Sequence, residues 1–138
     1  MERTLAIIKP DAVERGLTGD ILKRIEASGL RVRGLRKMHL TRAQAERFYD
    51  VHKARPFFKS LCDYMTSGPV VIAVLASDRA IARWRELMGA TDPAKAAEGT
   101  IRKLFGVDIE KNATHGSDAP GTAAREVAFF FADLEILD

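Results

Sequence analysis

The chain has 138 residues, one cysteine (Cys62) and a formal charge of +3, from 22 Lys and Arg against 19 Asp and Glu. That length suits a single domain over residues 1–138, the lone Cys62 excludes an intrachain disulfide or a thiolate zinc site, and 46% hydrophobic against 30% charged residues excludes a disordered chain. The small positive excess favours an anionic partner, and the longest apolar run, residues 70–76, falls far short of the ~20 needed to cross a membrane, so the expected setting is cytoplasmic.

Residues 4–8 form a short apolar run with the pattern of a buried strand, ended by a turn at Lys9-Pro10-Asp11. Helical spacing follows at Ile21, Leu22 and Ile25, with Gly29 as the C-terminal cap. Residues 30–40 are strand-like: Leu30 and Val32 alternate, Gly34 disturbs the register as a bulge would, and Met38 and Leu40 resume. Thr41 and Gln44 form a capping box that opens a helix with Ala45, Phe48, Tyr49 and His52 on its apolar face. Pro56 interrupts it, and a second helix carries Phe58, Leu61, Cys62 and Met65 before Gly68-Pro69. Residues 70–76 are a buried strand. Asp78 is placed to cap the next helix, which turns Ile81, Trp84 and Met88 inward and ends at Gly89.

From residue 89 to 121 the pattern weakens to an irregular stretch, with short helical pieces after Asp92-Pro93 and over 100–105, and room for one short strand. Ile101, Leu104, Phe105, Val107 and Ile109 are expected to be buried there. A last amphipathic helix holds Ala123, Ala124, Val127, Phe130 and Phe131. Strands separated by helices predict an α/β or α+β sandwich with helices on one face of the sheet, and periodicity leaves the strand order open.

The sequence has no Gly-x-x-x-x-Gly-Lys-[Ser/Thr] loop and no Gly-x-Gly-x-x-Gly, so phosphate binding must rest on side-chain cations, hydroxyls and amides. The densest polar group is Asn112-Ala113-Thr114-His115-Gly116-Ser117-Asp118. An unperturbed imidazole, with a pKa of ~6.5, is largely neutral and nucleophilic at pH 7. By composition alone this heptad is a turn with an exposed His, Lys9 a solvated end of a strand, Arg85 and Arg102 ordinary surface cations, Phe57 and Phe58 core, and Tyr49, His39 and His52 structural.

Together, however, the segments resemble the nucleoside diphosphate kinase family, in its bacterial form. The resemblance is carried by residues 4–13 (Thr-Leu-Ala-Ile-Ile-Lys-Pro-Asp-Ala-Val), Arg55-Pro56-Phe57-Phe58, Ser67-Gly68-Pro69-Val70-Val71, residues 88–94, Gly99-Thr100-Ile101-Arg102, residues 112–118, and Glu126 with Phe129-Phe130. It covers nearly the whole chain in the family's order. The resemblance implies transfer of a γ-phosphoryl group from a nucleoside triphosphate, typically ATP, to a nucleoside diphosphate or deoxynucleoside diphosphate, by ping-pong kinetics through a phosphohistidine at His115. It implies Lys9, Arg85 and Arg102 as phosphate-holding cations, Thr91 as a hydroxyl donor to phosphate, Asn112 at the ribose hydroxyl, and Phe57, with Leu61 nearby, stacking on the base. Tyr49, Ser117 and Glu126 match positions that orient the histidine or bond its surroundings. Mg²⁺ would arrive with the nucleotide, held mainly by phosphates. The implied fold is ferredoxin-like, an α+β sandwich with a four-stranded antiparallel sheet and a protruding loop near Pro93. The implied assembly is a homo-oligomer, tetramer or hexamer. Ala76-Ser77, Glu98 and Gly121 depart from the common pattern without touching matched site positions. The alternative is a nucleotide- or nucleic-acid-binding regulatory module on the same fold; beside the enzyme, nucleic acid is a secondary partner.

Overall fold

The computed structural model describes residues 1–137. Its elements are β1 (Glu2–Ile8), α1 (Pro10–Glu14), α2 (Thr18–Ala27), β2 (Arg31–Met38), α3 (Arg42–Phe48), α4 (Phe58–Met65), β3 (Val70–Ser77), α5 (Ala80–Met88), α6 (Ile101–Phe105), β4 (Thr114–Gly116) and α7 (Pro120–Phe130). Three-residue 3₁₀ turns stand at Asp50–His52, Pro93–Lys95 and Asp133–Glu135. The four strands form one sheet in the order β2-β3-β1-β4, antiparallel at every pairing.

The sheet is covered on both faces, where the strand–helix alternation had suggested one. Alternate residues of β1 and β3 enter two separate cores. Ala6, Ile8, Val71, Ala73 and Leu75 pack with Ile21 and Ile25 of α2, Trp84 and Met88 of α5 and Ile101 of α6. Leu5, Ile7, Val70, Ile72 and Val74 pack with Phe48 of α3, Tyr64 and Met65 of α4, and Val127 and Phe130 of α7. A central strand with both faces dry is apolar along most of its length, and all eight residues of β3 are buried, with Ser77 at its end the one polar residue. The edge strand β2 instead exposes Arg31, Leu35, Arg36 and Lys37, and its register shifts between Val32 and Gly34, as the bulge at Gly34 predicts.

Several local expectations hold. The Thr41–Gln44 capping box is present in both directions, and Gly29, just past the end of α2, has φ +91°. Others are corrected. Pro10 does not end in a turn; it occupies the first position of α1, where its fixed φ suits a helix start and its missing N–H costs no bond. Asp78 does not cap α5. The amide of Ile81 donates to Glu2 Oε1 at 2.9 Å, so the cap comes from the far end of the sequence, and Asp78 pairs with Arg83 at 3.4 Å. Leu104, Val107 and Ile109 are exposed at 46, 61 and 65%: the five-residue α6 buries Ile101 and Arg102 and, one turn on from Ile101, part of Phe105, and turns Leu104 outward. Ala124 likewise lies on the outer side of α7. α3 stops at Phe48, so His52 belongs to the following 3₁₀ turn rather than to its apolar face.

Candidate active site

The residues implied by the motifs converge where the end of β1 lies beside the start of β4. Ile7 pairs with His115, so both side chains point to the face covered by α3, α4 and α7. His115 is one-fifth exposed, with Nε2 3.0 Å from Glu126 Oε1 of α7. Ser117 Oγ donates to the same carboxylate oxygen at 2.8 Å and accepts from the Leu5 amide at 3.2 Å. The rings of Phe48 and Tyr49 meet the imidazole edge-on, at 5.5 and 6.4 Å between centroids. A carboxylate can only accept, so Nε2 is the donor, and the neutral ring keeps its lone pair on Nδ1.

The opposite face needs the neighbouring glycine. A Cβ on Gly116 would lie 2.5 Å from Met88 Cε and 2.6 Å from Trp84 Cδ1. The indole Nε1 of Trp84 in turn donates to the His115 carbonyl at 3.1 Å. β4 is thus gripped from both sides: a side-chain relay on one and a hydrogen-bonded indole on the other. It leaves the preceding turn through Ala113, which is fully buried and has φ +74°, a left-handed conformation costly for alanine.

Two buried cations lie next to this strand. The amide of Lys9 donates to Ala113 O at 2.8 Å, and its Nζ donates to Asn112 Oδ1 at 2.8 Å and to the Glu110 carbonyl at 3.4 Å. Burial, then the nearby charge of Arg102, pushes the Lys9 ammonium down to about 8, against opposing pulls from Asp11, Glu110 and Asp108. Arg102 donates from one terminal nitrogen to Gly89 O at 3.0 Å and from the other to Thr114 O at 2.8 Å, while its buried Nε has no partner among the described residues. Burial and the charge of Arg85 lower Arg102 to about 10, which leaves it protonated at neutral pH. Asn112 Nδ2 donates to the Thr91 carbonyl at 3.0 Å, which brings the residue 91 segment against the 112–118 motif. The Arg85 and Thr91 side chains are exposed and line, with Gly89 and Ala90, a cavity of about 410 Å³.

A looser aromatic edge continues outward. Tyr49 is buried, its hydroxyl without a hydrogen-bond partner among the described residues, and burial with the charge of Glu126 raises its pKa. His52 lies between Tyr49 and Phe57, at 6.5 and 5.4 Å between ring centroids. Phe57, at the start of α4, is 45% exposed, against the core position its composition suggested, and Leu61 follows one turn on, half-buried. A second cavity, about 600 Å³, lies elsewhere, between the start of β1 and α7, with Arg3, Val127 and Phe131 in its walls. It holds none of this chemistry.

Sequence reasoning missed Trp84, Phe48, Gly116 and Ala113 as parts of the site. A buried indole must spend its N–H on a partner, and a glycine inside a strand marks a close approach, so two of these left a signal. Ala113 left none, because alanine has no preference for positive φ.

Comparison with known proteins agrees over the whole chain. Residues 2–136 match the nucleoside diphosphate kinase family model. The nucleoside diphosphate kinase of Geotalea uraniireducens (strain Rf4) is 58% identical over 137 residues, 99% of this chain and 100% of that protein. The enzyme of the same name from Oleidesulfovibrio alaskensis is 62% identical over 135 residues, 98% and 97% of the two chains. Among solved structures, the Aquifex aeolicus nucleoside diphosphate kinase superposes with a TM-score of 0.96 at 47% identity, covering 99% of both chains. A halophilic nucleoside diphosphate kinase from Halobacterium salinarum, solved in complex with CDP, gives 0.96 at 45% identity over 99% of this chain and 91% of that one. With a part-buried histidine–glutamate–serine relay beside two sequestered cations, on a sheet of the order β2-β3-β1-β4, this chain belongs to the nucleoside diphosphate kinase family.

Proposed function

We propose that this chain carries out its family's reaction, γ-phosphoryl transfer from a nucleoside triphosphate to a nucleoside diphosphate, through a phosphohistidine at Nδ1 of His115. The observation that carries this is the engagement of Nε2 by Glu126, which leaves the other ring nitrogen as the nucleophile. In the first half-reaction Nδ1 forms a bond to the γ-phosphorus, the bond to the β,γ-bridging oxygen breaks, and the diphosphate leaves. The ring is then cationic, its proton still on Nε2, and the Glu126 carboxylate stabilises that charge. In the second half-reaction a terminal oxygen of an incoming diphosphate attacks the phosphorus and the P–N bond breaks. Such transfer needs positioning and spread positive charge more than covalent help from the protein.

Lys9, Arg85 and Arg102 supply that charge, with Thr91 as a hydroxyl donor, and the unpartnered Tyr49 hydroxyl and Arg102 Nε are further donors for a phosphate. Asn112 Oδ1, already accepting from Lys9, keeps a lone pair for a ribose hydroxyl. Phe57 offers a π-face that every base can use, which suits a broad range of NTPs, NDPs and dNDPs including ATP. Mg²⁺ fits as part of the nucleotide substrate. No group of three or more His, Cys, Asp or Glu that could hold a metal occurs among the described residues, and the side chains at the site are mostly cations and donors. Bound to the phosphates, Mg²⁺ would neutralise charge as the leaving group departs. A homo-oligomer, tetramer or hexamer, is part of this reading, supported by the exposed apolar Leu35, Leu104 and Val107, and light scattering would give its mass. So is a cytoplasmic setting: no helix among the described residues is long and apolar enough to cross a membrane.

The test uses γ-labelled ATP with Mg²⁺. The protein should acquire an acid-labile, base-stable label that chases onto added GDP. His115→Ala should take up none, yet still melt at a higher temperature with ADP present. Label retained in that variant would show that another residue is the nucleophile.

A further inference from the structure

One side-chain bond joins the two walls of the proposed cleft and has no part in the chemistry. Ser60 Oγ lies 3.1 Å from Glu110 Oε1 and 3.0 Å from Oε2, and donates to that carboxylate across 50 residues of sequence. Ser60 stands three residues after Phe57, so the two share one face of the first turn of α4. Glu110 stands two residues before Asn112. Its backbone carbonyl and the Asn112 side chain both accept from Lys9 Nζ. The loop is stiffened by Asp108 Oδ1, which accepts from the amides of Glu110 at 3.0 Å and Lys111 at 2.7 Å. One wall therefore carries the base platform, and the other carries the ribose acceptor and steadies the phosphate cation.

We propose that the Ser60–Glu110 bond is a clasp that fixes the base end of the nucleotide site against its phosphate end. Both are positioning residues, Ser60 acting through Phe57 and Glu110 through Asn112. The inference rests on the assignment of Phe57 and Asn112 made above. Without the clasp, the first turn of α4 and the 108–112 loop are free to separate, and a nucleotide must restore their spacing when it binds, which weakens its apparent affinity. The relay of His115, Glu126 and Ser117 lies on β4 and α7 and shares no hydrogen bond with the clasp. Affinity and turnover are therefore separable.

Ser60→Ala and Glu110→Ala should each raise the KM for GDP and the dissociation constant of ADP by about three- to tenfold, with kcat within about twofold of the parent. The double variant should be no worse than Glu110→Ala alone, because Ser60→Ala removes only a bond that Glu110→Ala has already broken. Glu110→Gln keeps an acceptor oxygen and should recover most of the affinity. Unchanged KM and ADP affinity, single effects that multiply in the double variant, or a kcat that falls as KM rises would overturn the clasp. Direct ADP binding needs no phosphoryl transfer, so it judges the clasp separately: a parent protein that binds ADP but moves no phosphate would overturn the kinase reading, not this one.

Discussion

The two ends of the proposed cleft are held in different ways. At the phosphate end, His115 sits inside a strand pair, its ring fixed by Glu126 and its carbonyl by Trp84, and Lys9 and Arg102 are nine-tenths buried with backbone and amide partners. At the base end, Phe57 is 45% exposed, leans on the ring of His52, and starts a helix whose link to the facing loop is one serine hydroxyl. On the function proposed above, the difference follows from what each end would recognise. Phosphate chemistry needs charges and a nucleophile placed within tenths of an ångström, which a packed and largely hydrogen-bonded surround provides. A base platform that accepts any base needs a flat apolar face and little else.

The contrast predicts that substitutions cost more the closer they lie to β4. The largest effect is expected for Glu126→Gln, which nearly keeps the shape of the side chain. A glutamine can turn its amide N–H toward Nε2, which would place the ring proton on Nδ1 and remove the attacking lone pair. The rate of labelling by γ-labelled ATP should fall about 10²- to 10³-fold with ADP affinity retained, by analogy with the wrong-tautomer effect at a protease histidine. A fall of less than tenfold would mean that Glu126 only packs against the ring.

A matched pair of glycine substitutions tests the same contrast in stability. Gly116→Ala drives a methyl into Met88 and Trp84, and should lower the unfolding free energy by about 2 kcal/mol while displacing the neighbouring His115. Gly121→Ala, in the first turn of α7, meets nothing within 4 Å, and should be neutral or stabilise by up to about 1 kcal/mol. Urea unfolding midpoints would rank the two, and equal effects would mean that β4 is not the tight region its contacts suggest. Phe57→Ala is smaller and of another kind. It should raise KM about tenfold for purine and pyrimidine diphosphates alike, with little change in kcat or unfolding midpoint. A strong bias toward one base would show that the outer end reads base edges.

The same division governs how much the sequence made legible. β1 and β3 could be read because a strand dry on both faces is a continuous apolar run, and α3 because its capping box is local. β4 could not, since Thr114-His115-Gly116 is three residues without periodicity, stabilised by pairing with β1 and by Trp84 from α5. The Asp78 cap failed for a similar reason: the acceptor for Ile81 is Glu2, 79 positions away, and no local pattern reports it. Burial of Leu104, Val107 and Ile109 was expected from side-chain type alone, which cannot tell which side of a short helix or loop faces the core. The candidate site residues come as a set from the family resemblance, because each taken singly has an ordinary structural role.

The smallest expected effect separates the two ends by pH. Lys9 titrates at about 8 in the folded chain, lowered from 10.5 chiefly by burial and then by Arg102. The unfolded chain holds that proton up to its ordinary value, so it binds more protons than the folded chain between about 8 and 10.5. On this group alone, stability is lowest below pH 8, where the folded protein must bury a charge. It rises with pH through that window, by at most about 3 kcal/mol. Nucleotide affinity runs the other way, because the phosphate is attracted to the ammonium and not to the amine. ADP affinity should therefore fall about three- to fivefold between pH 7 and 8.5 while the unfolding midpoint holds or rises. In Lys9→Met the fall in affinity should disappear. In Phe57→Ala it should persist at full size on a weaker baseline, since the platform carries no titrating group. If affinity and stability declined together in the parent protein, the proton would belong to a group that supports the fold, and Lys9 would not be the cation that the phosphate meets.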